Sequence, residues 1–198
     1  MWQPALQQLD GELLRSFRAA ELANEWRAWI YRSSGETGNA RRICEGSEFN
    51  MRLQSVRAIV AANDGEHEYA RFLAQDAVDS RRDRAELAMA HVVSAVGDNE
   101  AAVYWFERAA TRSESQQPLR HAARLLAELG SWDEARVPIE RAIRSTSFVR
   151  WEDLAFLAKC LRQTGNSKLA IEIEAVMPGY QSRDQTAMRS VEELCSVG

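Results

Sequence analysis

The sequence predicts an all-α fold, a stack of antiparallel helix pairs, and three observations carry that prediction. Glycines recur at Gly65, Gly97, Gly130 and Gly165, at separations of 32, 33 and 35. Each is followed five residues on by an alanine (Ala70, Ala102, Ala135, Ala170), and the first three of these by a second alanine at Ala77, Ala109 and Ala142. Strong helix formers dominate a chain that has only ten glycines and four prolines, too few for the many tight turns of a β fold. Self-similarity at such a period is the signature of a repeat architecture, in which each two-helix unit buries its apolar face only by stacking on its neighbours.

The elements follow in order. A capping helix is expected over 6–17. Residues 21–32 and 39–45 read either as further capping helices or as a degenerate copy, with Gly35 as its turn and Ala28 and Ala40 at the small positions. The step from Gly35 to Gly65 is only 30 residues, short of the others. First helices of the repeats are expected at 52–62, 85–96, 119–129 and 152–163. Each ends at a glycine, which takes positive φ without a side-chain clash. A second helix follows each glycine. Ser131 with Glu134 reads as a capping box, Asp98 and Asn166 as N-caps, and Pro118 suits a first turn. Leu126, Phe106, Ile139 and Leu161 are expected to fill the seams between pairs. Ser182 with Gln185 opens a terminal helix. The chain thus divides into N-terminal cap helices over 1–50, with or without that degenerate copy, four repeats over 51–181 and a C-terminal cap over 182–198.

Composition excludes several classes. With 45% apolar and 27% charged residues, a disordered chain is not expected. The net charge of −4 comes from acids and bases interspersed almost everywhere. The densest basic run, Arg81, Arg82 and Arg84, is interrupted by Asp83, which is poor material for a nucleic-acid surface. Cys44, Cys160 and Cys195 lie far apart in no framework pattern, so reduced thiols in a cytoplasm are expected. The first residues show no basic stretch leading into an apolar one, and no run approaches the ~18 apolar residues of a membrane span.

Chemistry is hard to find. His67, His91 and His121 have no partner at zinc-ligand spacing. Gly35 and Gly38 lack the lysine and the preceding strand of a phosphate loop, and no nucleophile elbow occurs. Cys44 and Cys160 read as small apolar residues packed in helices. Trp26, Trp29, Trp105, Trp132 and Trp151 read as packing residues. No enzyme activity, cofactor or metal is expected.

The repeated pattern resembles the tetratricopeptide repeat family over residues 51–181. In that family's second helix an alanine is followed four residues later by an aromatic and then by another alanine. Ala102, Phe106 and Ala109 match this. Ala135, Ile139 and Ala142 match with an aliphatic centre, and Ala70, Ala74 and Ala77 by small size. The last copy departs: Ala170 is followed by Glu174 and Met177, and Pro178 is expected to end the helix. Ala58, Ala90, Ala123 and Ala158 align with the small residue of the first helix, while the tryptophan early in the family's unit is missing from every copy. The resemblance implies a right-handed α-solenoid of about four to five repeats with capping helices, and a role in holding another protein.

The resemblance also implies an address for that role, a concave face lined by the first helices. Carried over, the first copy gives Arg52, Ser55, Ile59, Ala62 and Asn63. The second gives Arg84, Leu87, His91, Ser94 and Ala95. The third gives Gln117, Arg120, Arg124, Ala127 and Glu128, and the fourth Glu152, Ala155, Lys159, Arg162 and Gln163. Arg52, Arg84, Arg120, Arg124, Lys159 and Arg162, with His91, face only Glu128 and Glu152. The expected partner is therefore a protein or peptide segment of acidic character, with Arg120 and Arg124 gripping a carboxylate from one helix face. The other reading of these charges is a solvated helix face. Ser55, Ile59 and Leu87 stand where family members that clasp a C-terminal carboxylate need polar donors, so that role is not implied. Two alternatives remain: a self-associating assembly or secretion-type chaperone subunit, forming a homodimer through Trp26, Trp29 and the terminal helix, and a regulator contacting nucleic acid through Arg81, Arg82 and Arg84.

Overall fold

The computed structural model describes residues 17–46, 53–82, 84–113, 115–145 and 149–181, which contain ten helices and no strand. They are α1 (Phe17–Ser33), α2 (Thr37–Glu45), α3 (Gln54–Asn63), α4 (His67–Asp79), α5 (Ala85–Ala95), α6 (Asn99–Arg112), α7 (Gln117–Glu128), α8 (Trp132–Arg144), α9 (Trp151–Gln163) and α10 (Ser167–Gln181). The expected helix over 6–17, apart from Phe17, and the terminal helix after Ser182 lie outside the described residues, as does Arg52.

The glycines fix the turns as expected. Gly35, Gly65, Gly97, Gly130 and Gly165 all lie between φ +82° and +84°. At Gly130 the Gly130 N–H donates to the Ala127 carbonyl at 3.0 Å and the Ser131 N–H to the Leu126 carbonyl at 2.9 Å, the two bonds of a Schellman motif. Gly35 repeats this, with Glu36 N–H on the Tyr31 carbonyl at 2.8 Å. The α1–α2 pair therefore turns as the four later pairs do. Its short step to the next copy arises after the turn, because α2 has nine residues where α4 and α8 have 13.

A Cβ built on Gly130 meets nothing within 4 Å. Gly130→Ala should therefore cost about 1–2 kcal/mol from backbone strain alone, measurable by urea unfolding. The turn between α4 and α5 supplies the converse, because Arg81 and Arg84 hold φ +50° and +58° without being glycine. Arg81→Gly should raise the urea midpoint, and a fall would show that the strain lies elsewhere.

Two local expectations need correction. Ser131 makes no side-chain cap bond, because the glycine turn leaves it at ψ +63° rather than in the extended region that aims a hydroxyl at the helix N–H groups. Helix α10 does not stop at Pro178 but runs to Gln181, so the lost N–H bond is absorbed within the helix. Asp98 does cap α6, its Oδ1 accepting from Ala101 N–H at 3.1 Å, and Pro118 lies in the first turn of α7.

The alanine register decides the packing. Ala28, Ala58, Ala90, Ala123 and Ala158 on first helices, and Ala40, Ala70, Ala102, Ala135 and Ala170 on second helices, are all fully buried. Small side chains at these places let paired helices approach closely, and larger residues fill the space around them.

The chain divides into two compact units, Met1–Ala102 and Val103–Gly198, the division falling inside α6. In the first unit α3 is central, packed against α2, α4 and α5 and touching α1. Its residues are buried on nearly every side, Arg57 and Asn63 excepted. In the second unit α7 packs on α8, α8 on α9 and α9 on α10. There Ile139, Ile143, Leu154, Leu157, Leu161 and Ile173 form the core, with Ala123, Ala158 and Ala170 among them.

Candidate interaction surface

One place in the repeat, six residues before each turn glycine, is informative. It is held by Trp29, Ile59, His91, Arg124 and Lys159. In the first unit these side chains turn inward. Ile59 is buried together with Ser55 and Ala62, two other positions expected to line a groove on α3, whereas Asn63, the last of them, is exposed at the helix end. Helices α1, α2, α4 and α5 pack on α3 and cover Ser55, Ile59 and Ala62, so these three residues form no open groove.

Above it, α1 and α5 are tied together. The Arg84 guanidinium lies 4.6 Å from the Trp26 ring centroid and 4.8 Å from that of Trp29. Arg32 and the His91 Nε2 are 3.0 Å apart, and Arg32 also lies over Trp29 at 5.8 Å. Burial holds the Arg32 pKa below its usual value. Such stacking holds guanidinium groups by the ring quadrupole and by displaced water. Arg84 and His91 thus act inside the unit, and Trp29 is buried there. The basic run Arg81, Arg82 and Arg84 is split as well, since Arg84 turns towards the tryptophans.

The second unit differs. Arg120 Nε donates to both Asp153 carboxylate oxygens at 2.9 Å, and its Nη2 donates to Oδ2 at 2.7 Å. The pair links α7 to α9 with side chains only 12% and 5% exposed. Arg120 therefore already holds a carboxylate, one supplied by its own chain, and does not pair with Arg124 to grip a ligand. Arg124, one turn further along α7, is exposed. Lys159 is exposed and its Nζ lies 5.2 Å from the Trp132 ring centroid. Arg162, half exposed, pairs with Glu174. Glu152 nearby is held below the usual carboxylate range, first by a backbone N–H at the start of α9 and further by Arg150 and Arg120. On the surface that α7 and α9 present, the two cations in register, Arg124 and Lys159, are exposed, with Glu128 and Glu152 on the same two helices.

The remaining histidines are placed by packing. His121 stacks on Phe106 with centroids 5.1 Å apart, and His67 is exposed at the start of α4. Burial pushes the Cys44 and Cys160 thiols up to about 11, so neither is a thiolate at neutral pH. Among the described residues no group of three His, Cys, Asp or Glu side chains is placed to hold a metal ion, and no helix is long and apolar enough to cross a membrane.

No family model matches the chain, and no curated protein matches it. A solved structure titled "MamA MSR-1 C2" superposes on 88% of this chain and 96% of its own length, with a TM-score of 0.53 at 13% sequence identity. The fold is tetratricopeptide-like. At that identity the likeness concerns the fold, and it agrees with the helix pairs, glycine turns and buried alanines seen in each unit.

Proposed function

We propose that the protein is a tetratricopeptide-like interaction module that holds an acidic segment of a partner protein on the face carrying Arg124, Lys159 and Arg162. The observation that carries this reading is the shared register of Arg124 and Lys159, exposed cations at the same repeat place on successive first helices. Arg120 and Asp153 hold those helices together beneath them, so the charges sit on a braced surface rather than on two independent helices. Charged groups of this kind steer and orient a partner more than they supply raw affinity, and apolar contacts with Ala127 and Ala155 complete the surface. A cytoplasmic setting belongs to the same reading, supported by the two buried free thiols.

The test is charge reversal. Affinity capture from native lysate is compared between the wild type and an Arg124→Glu, Lys159→Glu double variant, both shown to be folded by circular dichroism. Partner retention should fall roughly tenfold and its salt dependence should flatten. Retention unchanged in the folded double variant would remove this face from the function.

A further inference from the structure

The geometry points to a second docking surface of opposite sign: the cleft between α2, α3 and α4 receives a basic, amphipathic protein segment, one lysine or arginine side chain entering the cleft and an apolar neighbour resting on Phe72. The cleft encloses about 380 Å³. That is at the small end of ligand-binding clefts and suits one long side chain better than a cofactor. Its floor is apolar, formed by the buried Val60 and Ala61, and the Tyr69 ring forms a wall. This floor matches the methylene stem of a lysine or arginine, which packs on apolar surface while its head stays polar.

The rim supplies the sign. Two cations stand there and both are engaged. Arg41 pairs with Asp64, and Arg57 donates through Nε and Nη2 to the Cys44 carbonyl at 3.2 and 2.9 Å. Two further carboxylates, Glu45 and Glu66, are exposed on the same rim; both attract Arg41 through space, but its guanidinium is paired with Asp64, so their oxygens still face the cleft mouth. An incoming ammonium or guanidinium meets those carboxylates, which attract it by charge-assisted hydrogen bonds, and packs its stem beside Tyr69. An acidic segment meets repulsion from the same groups, so this surface and the Arg124–Lys159 face select different partners.

The patch continues beyond the cleft. Tyr69 and Phe72 are three residues apart on α4, hence on one helix face, and remain 54% and 67% exposed. Two neighbouring exposed aromatics beside a cleft are more apolar surface than a solvated helix face needs. Glu68 lies beside them, exposed. An apolar centre edged by exposed carboxylates is complementary to an apolar residue flanked by basic ones.

The test uses the full chain and a fluorescein-labelled amphipathic peptide of alternating lysine and leucine, with a glutamate–leucine peptide as comparison. Anisotropy should show binding of the basic peptide. Glu45→Gln with Glu66→Gln should weaken it roughly tenfold, and Phe72→Ser should weaken it comparably. The same charge change at Glu128 and Glu134 should leave it intact, which separates the cleft from general attraction to an acidic protein. All these side chains are exposed, so the variants should keep the wild-type circular dichroism. Amide shift changes should fall on α2, α3 and α4. Equal affinity in the cleft variants, equal binding of the acidic peptide, or shifts confined to α7 and α9 would overturn the proposal. So would self-association abolished by Phe72→Ser with no peptide binding, which would give the surface to a second copy of the chain. The Arg124→Glu, Lys159→Glu variant should bind the basic peptide normally, so the two surfaces stand or fall separately.

Discussion

Asp153→Ala should destabilise the protein by about 3–5 kcal/mol, the range for removing one partner of a buried ion pair. The Arg120 guanidinium would remain between α7 and α9 with its carboxylate gone, and an uncompensated charge in that position is costly. Arg120→Ala should cost a similar amount for the mirror-image reason, since Asp153 is itself buried. Replacing both residues with leucine should return most of the loss, because apolar packing avoids the desolvation penalty of both charges. The wild type, the two alanine variants and the double alanine variant form a double-mutant cycle, read by denaturant unfolding beside the leucine pair. A loss below about 1 kcal/mol for Asp153→Ala would place the pair in the class of surface salt bridges. The cycle also separates two roles for Arg120. A ligand-binding arginine would lose partner affinity on substitution and leave stability nearly unchanged, whereas this one should lose stability first.

Phe106→Ala should cost about 3–5 kcal/mol, and Phe106→Leu distinctly less, about 1 kcal/mol, because leucine refills most of the space. Phe106 is 2% exposed at the central place of its second helix and stacks on His121 of the next one. The ring therefore joins consecutive helices, and its loss combines a transfer term with a cavity term. Ile139 holds the same place one repeat later and is equally buried, so Ile139→Ala should cost about 2–5 kcal/mol. Ala74, at that place in an earlier repeat, is already small. Thermal or urea unfolding gives the order directly. A Phe106→Ala loss no larger than that of Phe106→Leu would mean that the site collapses around the deletion.

The repeat was legible because its determinants are local. A glycine at positive φ and the alanine five residues later each depend on a few neighbouring residues, so every copy carries them whatever it packs against. The same rule left the first pair open between capping helices and a degenerate copy, and in the structure its Gly35, Ala28 and Ala40 keep their places although α2 is short. Capping was legible less well. Ser131 has the right residue type but the wrong ψ, a torsion imposed by the glycine turn just before it. The core was largely legible too, with Phe106, Ile139 and Leu161 buried where the periodicity put them. Leu126 is only partly covered.

The candidate surface was legible in position and less so in availability. Register places a side chain on a helix face. It does not say whether that face meets water, another helix or a partner supplied by the same chain. Arg120 lies 33 residues from Asp153, and His91 meets Arg32 of α1 across 59 residues, with Arg84 reaching the α1 tryptophans over a similar span. A pairing over such distances leaves no trace in spacing. The cleft of α2, α3 and α4 was missed for the same reason, since Glu45, Glu66 and Tyr69 belong to different elements and share no motif. Exposed aromatics on α4 were the available signal.

The sequence by itself determined the helix pairs, their turns and the small-residue seams, because these follow from backbone torsion and side-chain size within one repeat. Only the tertiary structure decided which charges remain available. Coulomb attraction and stacking act through space, and they bind Arg84 and Arg120 inside the protein while leaving Arg124 and Lys159 exposed.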